Sequence, residues 1–259
     1  MNEQNDSYEE RLKALNERVI ERASRVPGWM TRWDEDGAKR EAQPIGARLL
    51  KAQGTLARDL LDGGDLHRII RNLAILALLT AALYGAVIGS FSGPQQALYA
   101  ALKFPLVMLG SALICLPSFY VFQCLVGARP SLLQACAAVL LMTTASGLIL
   151  FGCAPIAWFF TISSEADAGR FLVALHVIVV AAALIFGMNL LSRMRRFFDW
   201  KQANMFSGRV LMLWNVLFVV VVLQMAYFLG PLMVSEDIFL RGERGLFIKA
   251  IGEFFTGSN

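Results

Sequence analysis

Long apolar runs, separated by short polar segments, constrain this chain more than any other feature. Two of them, at about 98–126 and 131–160, meet at the turn Gly127-Ala128-Arg129-Pro130. A helix needs about 20 mostly apolar residues to cross a bilayer, and both runs exceed that length. The chain holds five such runs, which predict an all-α, polytopic membrane helical bundle. They lie at about 69–91, 98–126, 131–160, 171–191 and 210–229.

The composition fits a membrane protein and excludes a nucleic-acid arm. Apolar residues make up 56% of the chain and charged residues 17%, whereas a soluble domain carries about 25% charge. More than half of the charges lie in the first 71 residues, with acidic and basic side chains in equal number. That segment is locally neutral, so we expect no nucleic-acid partner. The acidic, polar start predicts no cleavable signal peptide.

Three regions are expected: a cytoplasmic amphipathic region (1–68), a five-span transmembrane domain (69–230) and an amphipathic C-terminal tail on the far side (231–259). In the first region, Ser7 and Glu10 form a capping-box pattern, and a helix over 7–26 ends at Pro27-Gly28. Its apolar positions follow a 3–4 spacing and are a candidate partner-binding face. They are Leu12, Leu15, Val19 and Val26.

A linker at about 29–44 and a second amphipathic helix at about 44–61 follow. Leu49, Leu50, Leu56 and Leu60 are expected towards one side of that helix. Three large apolar residues of the linker have two interpretations: they anchor the chain at the headgroup level, or they cover the apolar face of the preceding helix. The residues concerned are Trp29, Met30 and Trp33.

Basic residues orient the predicted spans. Loops rich in Lys and Arg stay in the cytoplasm, and one predicted loop contains Arg193, Arg195, Arg196, Lys201 and Arg209. Arg68, Arg71 and Arg129 fall on the same side. We therefore expect a cytoplasmic N-terminus and an external C-terminus, in a bacterial cytoplasmic membrane.

Ionisable and polar residues inside spans are candidate functional groups. Lys103 either snorkels to the interface or faces a cavity, and His176 either packs, titrates or hydrogen-bonds across helices. Gln123 and Asn215 form interhelical hydrogen bonds or line a polar path. The predicted spans contain no carboxylate, which argues against a proton-coupled transporter.

Small residues and prolines shape the spans. Gly85 and Gly89 form a GxxxG pattern that lets helices approach closely. Pro105, Pro117 and Pro155 interrupt the second and third runs and are expected to kink them. Carbonyls freed by such prolines coordinate ions in transporters with broken helices.

No residue pattern indicates catalysis. The two histidines, His67 and His176, are expected near different leaflets, and no Ser–His, Asp–Asp or HExxH arrangement is present. The four cysteines lie in apolar runs without CxxC spacing, so they are expected to pack. We expect neither enzyme activity, nor a metal, nor a cofactor.

The chain resembles the Yip1/YIPF-like five-span membrane proteins and their bacterial relatives. The likeness covers about 69–230 and centres on Tyr84-Gly85, the run KFPLVML…ICLPSFYVFQCLVG and Ala154-Pro155…Phe159-Phe160. It implies a non-enzymatic membrane organiser and carries over no catalytic residue.

The leading hypothesis is an integral membrane anchor or scaffold. Its amphipathic helices at 7–26 and 44–61 would recruit a protein partner or mediate homo-oligomerisation, with the lipid bilayer as the other partner. The alternative is a small-solute or ion channel or transporter that uses the proline-kinked second and third spans.

Overall fold

The computed structural model describes residues 27–38, 44–164, 169–201 and 206–229, and their secondary structure is helical. Five of the helices are long and apolar enough to cross a membrane, which confirms an all-α, multi-pass membrane bundle. The helices are α1 (Gly28–Ala38), α2 (Ile45–Lys51), α3 (Gln53–Asp62), α4 (Leu66–Gly89, followed by a 3-10 turn at Ser90–Ser92), α5 (Pro94–Leu125), α6 (Leu132–Ser163), α7 (Gly169–Trp200) and α8 (Gly208–Leu229).

Local hydrogen bonds define the turn between α5 and α6. Gly127 has φ 82°; its N–H donates to the Cys124 carbonyl (3.0 Å), and the Ala128 N–H donates to the Gln123 carbonyl (3.1 Å). This pair of bonds is a Schellman motif, which favours glycine at the left-handed position. Ser131 then begins α6 with a capping box. The predicted tight turn is confirmed.

Helix α6 occupies the centre of the bundle. It packs against α4, α5 and α7, while α8 packs mainly against α5. In its most apolar segment 61% of the residues are buried, compared with 28% in α7 and in α8. Helices α7 and α8 are therefore the most peripheral of the five and have the largest apolar share available to lipid. We call the end of the bundle where α1–α3 pack the near end, and the opposite end the far end.

Glycines permit close approach between the spans. A Cβ on Gly85 would lie 2.9 Å from the Cβ of Phe104, and one on Gly89 would lie 2.6 Å from the Cα of Ala97. Both neighbours belong to α5, so α4 and α5 approach at the GxxxG pattern. Gly147 is similarly placed on α6, where a Cβ would overlap the hydroxyl of Thr80 on α4.

The predicted helix at 44–61 is two helices, α2 and α3, separated at Ala52 (φ −131°, ψ 52°). The Thr55 hydroxyl donates to the Ala52 carbonyl (2.8 Å) and accepts from Arg48 Nε (2.9 Å). Such side-chain bonds compete with helix continuation. Arg48 also pairs with Asp59 at 2.5 Å, which joins α2 to α3 across the break.

The apolar face of α2 and α3 is covered by the protein's own chain. Leu49, Leu56 and Leu60 belong to the common hydrophobic core and are buried. The prediction that Leu50 lies on the same side is wrong, since this residue is 58% exposed.

The prediction of a linker at about 29–44 is wrong for residues 29–38, because they belong to helix α1 (Gly28–Ala38). Met30 and Trp33 are buried, and a Cβ on Gly54 of α3 would lie 2.6 Å from the Trp33 Cα. The Trp33 ring lies 5.9 Å from the ring of Phe197 on α7. Trp33 therefore packs between α3 and α7, which neither of its two interpretations anticipated.

Helix α7 extends nine residues beyond the predicted end at 191. The predicted basic loop is accordingly wrong for Arg193, Arg195 and Arg196, which are helical. The reason is an apolar stripe on the inner face that continues past the charges, because Leu190, Met194 and Phe197 are all buried at helical spacing.

Aromatic rings tie the near ends of the spans together. Phe119 on α5 lies 4.7 Å from Trp214 on α8 and 5.4 Å from Phe206. Phe206 in turn lies 5.8 Å from Phe198 on α7. Because these four rings are buried, they hold α5, α7 and α8 at one level.

Helices α5 and α6 continue through their prolines, which lie inside them. The runs are therefore not broken, and kinks at Pro105, Pro117 and Pro155 stay a prediction. Several predicted features lie outside the described residues: the helix at 7–26 with Leu12, Leu15, Val19 and Val26, and the C-terminal tail at 231–259.

Candidate functional site

A buried polar cluster joins three spans at the far end. His176 of α7 is fully buried. Its Nδ1 lies 3.1 Å from the Tyr84 hydroxyl on α4, and its Nε2 lies 3.4 Å from the Thr161 hydroxyl on α6. A buried polar group is costly unless it is hydrogen-bonded, and both imidazole nitrogens meet that condition here.

The hydrogen bonds of Thr161 assign the tautomer of His176. The Thr161 hydroxyl donates its one proton to the Ala157 carbonyl at 2.7 Å, so towards His176 it acts as an acceptor. Nε2 therefore carries the proton, and Nδ1 accepts from the Tyr84 O–H. In this arrangement a neutral histidine satisfies all three side chains.

The polar cluster extends towards α5 through an aromatic contact. The ring of Tyr84 lies 5.6 Å from that of Phe104, next to the close approach at Gly85. Lys103, the preceding residue, is only 7% exposed. Its side chain is therefore buried within the protein, whereas the snorkelling interpretation expected it to extend out of the bundle.

A second set of polar side chains lies between α5 and α8. Gln123 Oε1 accepts from the Ser207 N–H at 2.6 Å, and Trp214 Nε1 donates to the Cys115 carbonyl at 3.0 Å. Within the described part of the chain, three buried atoms on these two helices have no hydrogen-bond partner. They are Ser111 Oγ, Gln123 Nε2 and Asn215 Oδ1.

The sequence indicated His176, Gln123 and Asn215 as candidate polar groups, but it did not indicate their neighbours Tyr84, Thr161 and Trp214. Tyr84 and His176 are 92 positions apart, so no local pattern could have paired them. Thr161 and Trp214 resemble ordinary residues at the ends of spans. Only the packing of α4, α6 and α7 brings the first cluster together.

The chemistry available to these groups is hydrogen bonding between helices. In the described ranges, no three His, Cys, Asp or Glu side chains lie close enough to hold a metal ion. Bonds between membrane helices contribute on the order of 0.6 kcal/mol each, so several of them fix the relative positions of the spans.

Comparison with known proteins finds no match to a family model, a curated protein or a solved structure. The resemblance to Yip1/YIPF-like proteins therefore stays a prediction.

Proposed function

We propose that the protein is a non-enzymatic membrane anchor or scaffold that recruits a partner at its near end. The observation that carries this proposal is the docking of α1–α3 onto the spans. Gln134 at the start of α6 donates through Nε2 to the Leu60 carbonyl at 2.8 Å, and Trp33 packs on Phe197 of α7. These contacts hold α1 against the spans at the near end, where the described part of the chain begins at Pro27.

Recruitment is proposed at the segment 7–26 and no longer at 44–61. Since Leu49, Leu56 and Leu60 are covered by the bundle, the helices at 44–61 offer no continuous apolar face to a partner. They serve as a support instead. The predicted face of Leu12, Leu15, Val19 and Val26 becomes the proposed contact, and a second copy of the chain or another membrane-associated protein is its proposed partner.

The proposed orientation places the near end in the cytoplasm. Exposed basic side chains at that end include Arg68, Arg71 and Arg129, and the positive-inside rule favours their retention in the cytoplasm. A bacterial cytoplasmic membrane and an organiser role of the Yip1-like kind form part of the same proposal.

Site-specific crosslinking in membranes tests the scaffold proposal. A photo-crosslinking residue at Val19 should give a discrete adduct, and Leu12→Ser together with Leu15→Ser should abolish it. The matched controls Lys13→Ser and Glu17→Ser change polar positions of the same segment and should leave the adduct intact. An adduct that survives the leucine changes, or no adduct at all, would contradict recruitment through this face.

A channel or transporter is a second candidate, because of the three unpartnered buried polar atoms on α5 and α8. Buried polar groups inside spans are candidate parts of a polar path. Flux of small ions and amino acids through reconstituted vesicles would test it. Gln123→Leu should reduce flux under this alternative, whereas absence of flux in the unaltered protein would remove it.

A further inference from the structure

The outward face of α7 changes from apolar to basic at one level. Phe171, Ile178 and Ile185 are 53%, 66% and 59% exposed, and at helical spacing the same face continues to Arg193 and Arg196, which are also exposed. At 1.5 Å per residue, Ile185 and Arg193 are roughly 12 Å apart along the axis. The stripe therefore runs from the acyl-chain region to the headgroups.

The arginines at this end differ in their surroundings. Arg195 forms an ion pair with Asp199, and its guanidinium carbon would lie 3.0 Å from a Cβ on Gly208, so it packs against the start of α8. Arg193 and Arg196 are exposed instead. They are one turn apart, roughly 4.5 Å along the axis, so both can reach one phosphate group.

Tryptophans mark the same level as the headgroup region. The Arg196 guanidinium lies 5.5 Å from the ring centroid of half-buried Trp29, a cation–π contact that helps to position it. Trp200, also half-buried, lies under the ammonium of Lys201 at 4.7 Å. Tryptophan favours the membrane interface, so the phosphate plane of the near-end leaflet meets α7 here.

We propose that Arg193 and Arg196 bind the phosphate of an anionic phospholipid whose acyl chains lie along Ile178 and Ile185. Arginine suits this role because its planar guanidinium forms paired hydrogen bonds with phosphate oxygens. Asp199 is the one acid on α7, and Arg195 engages it. Arg193 and Arg196 thus have no acidic partner on their own helix, which favours an anionic lipid over a zwitterionic one that brings its own cation. This inference is independent of the proposed scaffold function.

Native mass spectrometry of the full chain in detergent tests the site. The protein is titrated with phosphatidylglycerol and with phosphatidylcholine of the same acyl chains, and bound lipid is counted. Unaltered protein should retain phosphatidylglycerol preferentially. A basic residue beside an anionic surface contributes roughly a five-fold increase in affinity, so R193Q and R196Q should each lower it by that factor, and the double variant by about 30-fold.

The matched control is the double variant R68Q/R129Q. It removes the same charge from exposed near-end positions on α4 and on the α5–α6 turn. Because salt screens charges that lie at a distance from the bound lipid, this variant should lower the affinity by less than about three-fold. An equal loss in both double variants would indicate a diffuse basic rim and overturn the site. Equal retention of the two lipids by the unaltered protein would also overturn it.

Discussion

Tyr84→Phe removes one hydroxyl from the far-end cluster and leaves His176 Nδ1 without its donor at 3.1 Å. A hydrogen bond between membrane helices contributes on the order of 0.6 kcal/mol on average and up to about 1.7 kcal/mol. An acceptor left buried without a partner costs roughly 1–3 kcal/mol. Because His176 is fully buried, we expect a loss of about 1–2 kcal/mol in the free energy of unfolding.

Reversible unfolding by SDS in mixed micelles, followed by circular dichroism, measures this loss. Tyr99→Phe is the matched control, since it deletes the same atom from a half-buried tyrosine whose hydroxyl accepts from Gln95 Nε2 of the same helix at an exposed site, and it should cost less than about 0.5 kcal/mol. In a double-mutant cycle with His176→Leu, the coupling energy should exceed about 0.5 kcal/mol. Equal losses at the two tyrosines, or no coupling with His176, would refute the hydrogen-bonded cluster.

Three further substitutions test the packing, two of them in the same unfolding assay and one by limited proteolysis. Gly85→Ala places a methyl group against α5 and should cost about 1–3 kcal/mol, whereas Gly152→Ala, with open space around it, should not destabilise. Gly54→Ala overlaps the Trp33 backbone and should make α1 sensitive to protease, whereas Gly64→Ala should not. Gln134→Ala removes the bond from the Ser131 N–H to Gln134 Oε1 and the bond from Gln134 Nε2 to α3, while the Ser131 N-cap bond to the backbone of residue 134 remains, so it should cost about 1–2 kcal/mol. Unchanged stability in Gly85→Ala and Gln134→Ala, together with unchanged proteolysis in Gly54→Ala, would contradict the described packing.

The membrane class and the number of spans followed from the sequence because both depend on composition over long windows. An apolar run of 20 or more residues has few alternatives to a spanning helix. The turn at Gly127 was equally readable, since its glycine and the following proline are local signals. Such features depend on neighbouring residues alone.

The end of α7 was misjudged because charge was given more weight than periodicity. Arg193, Arg195 and Arg196 suggested a loop, yet Met194 and Phe197 between and beyond them keep the helical spacing of a buried stripe. Helix α1 was missed as well, although Trp29, Met30 and Trp33 occupy helical spacing. Weighing the apolar spacing before the charge would have identified both segments.

The far-end cluster could not be predicted, for a different reason. His176 was recognised as a candidate, but its partners Tyr84 and Thr161 come from other helices. Their meeting depends on which faces of α4, α6 and α7 pack together, and small residues such as Gly147 set that packing. Sequence periodicity predicts which face of a helix is buried, but it does not predict which other helix packs against that face.

The most direct test of the account is the sidedness of the two ends of α5. Single cysteines replace Ser92 and Arg129, both exposed, in a variant without the four native cysteines, and an impermeant maleimide is added to intact cells. A cytoplasmic near end predicts that position 92 is labelled at once and that position 129 is labelled only after permeabilisation. Labelling of position 129 in intact cells would contradict a cytoplasmic near end, and labelling of both from one side would contradict the crossing of α5.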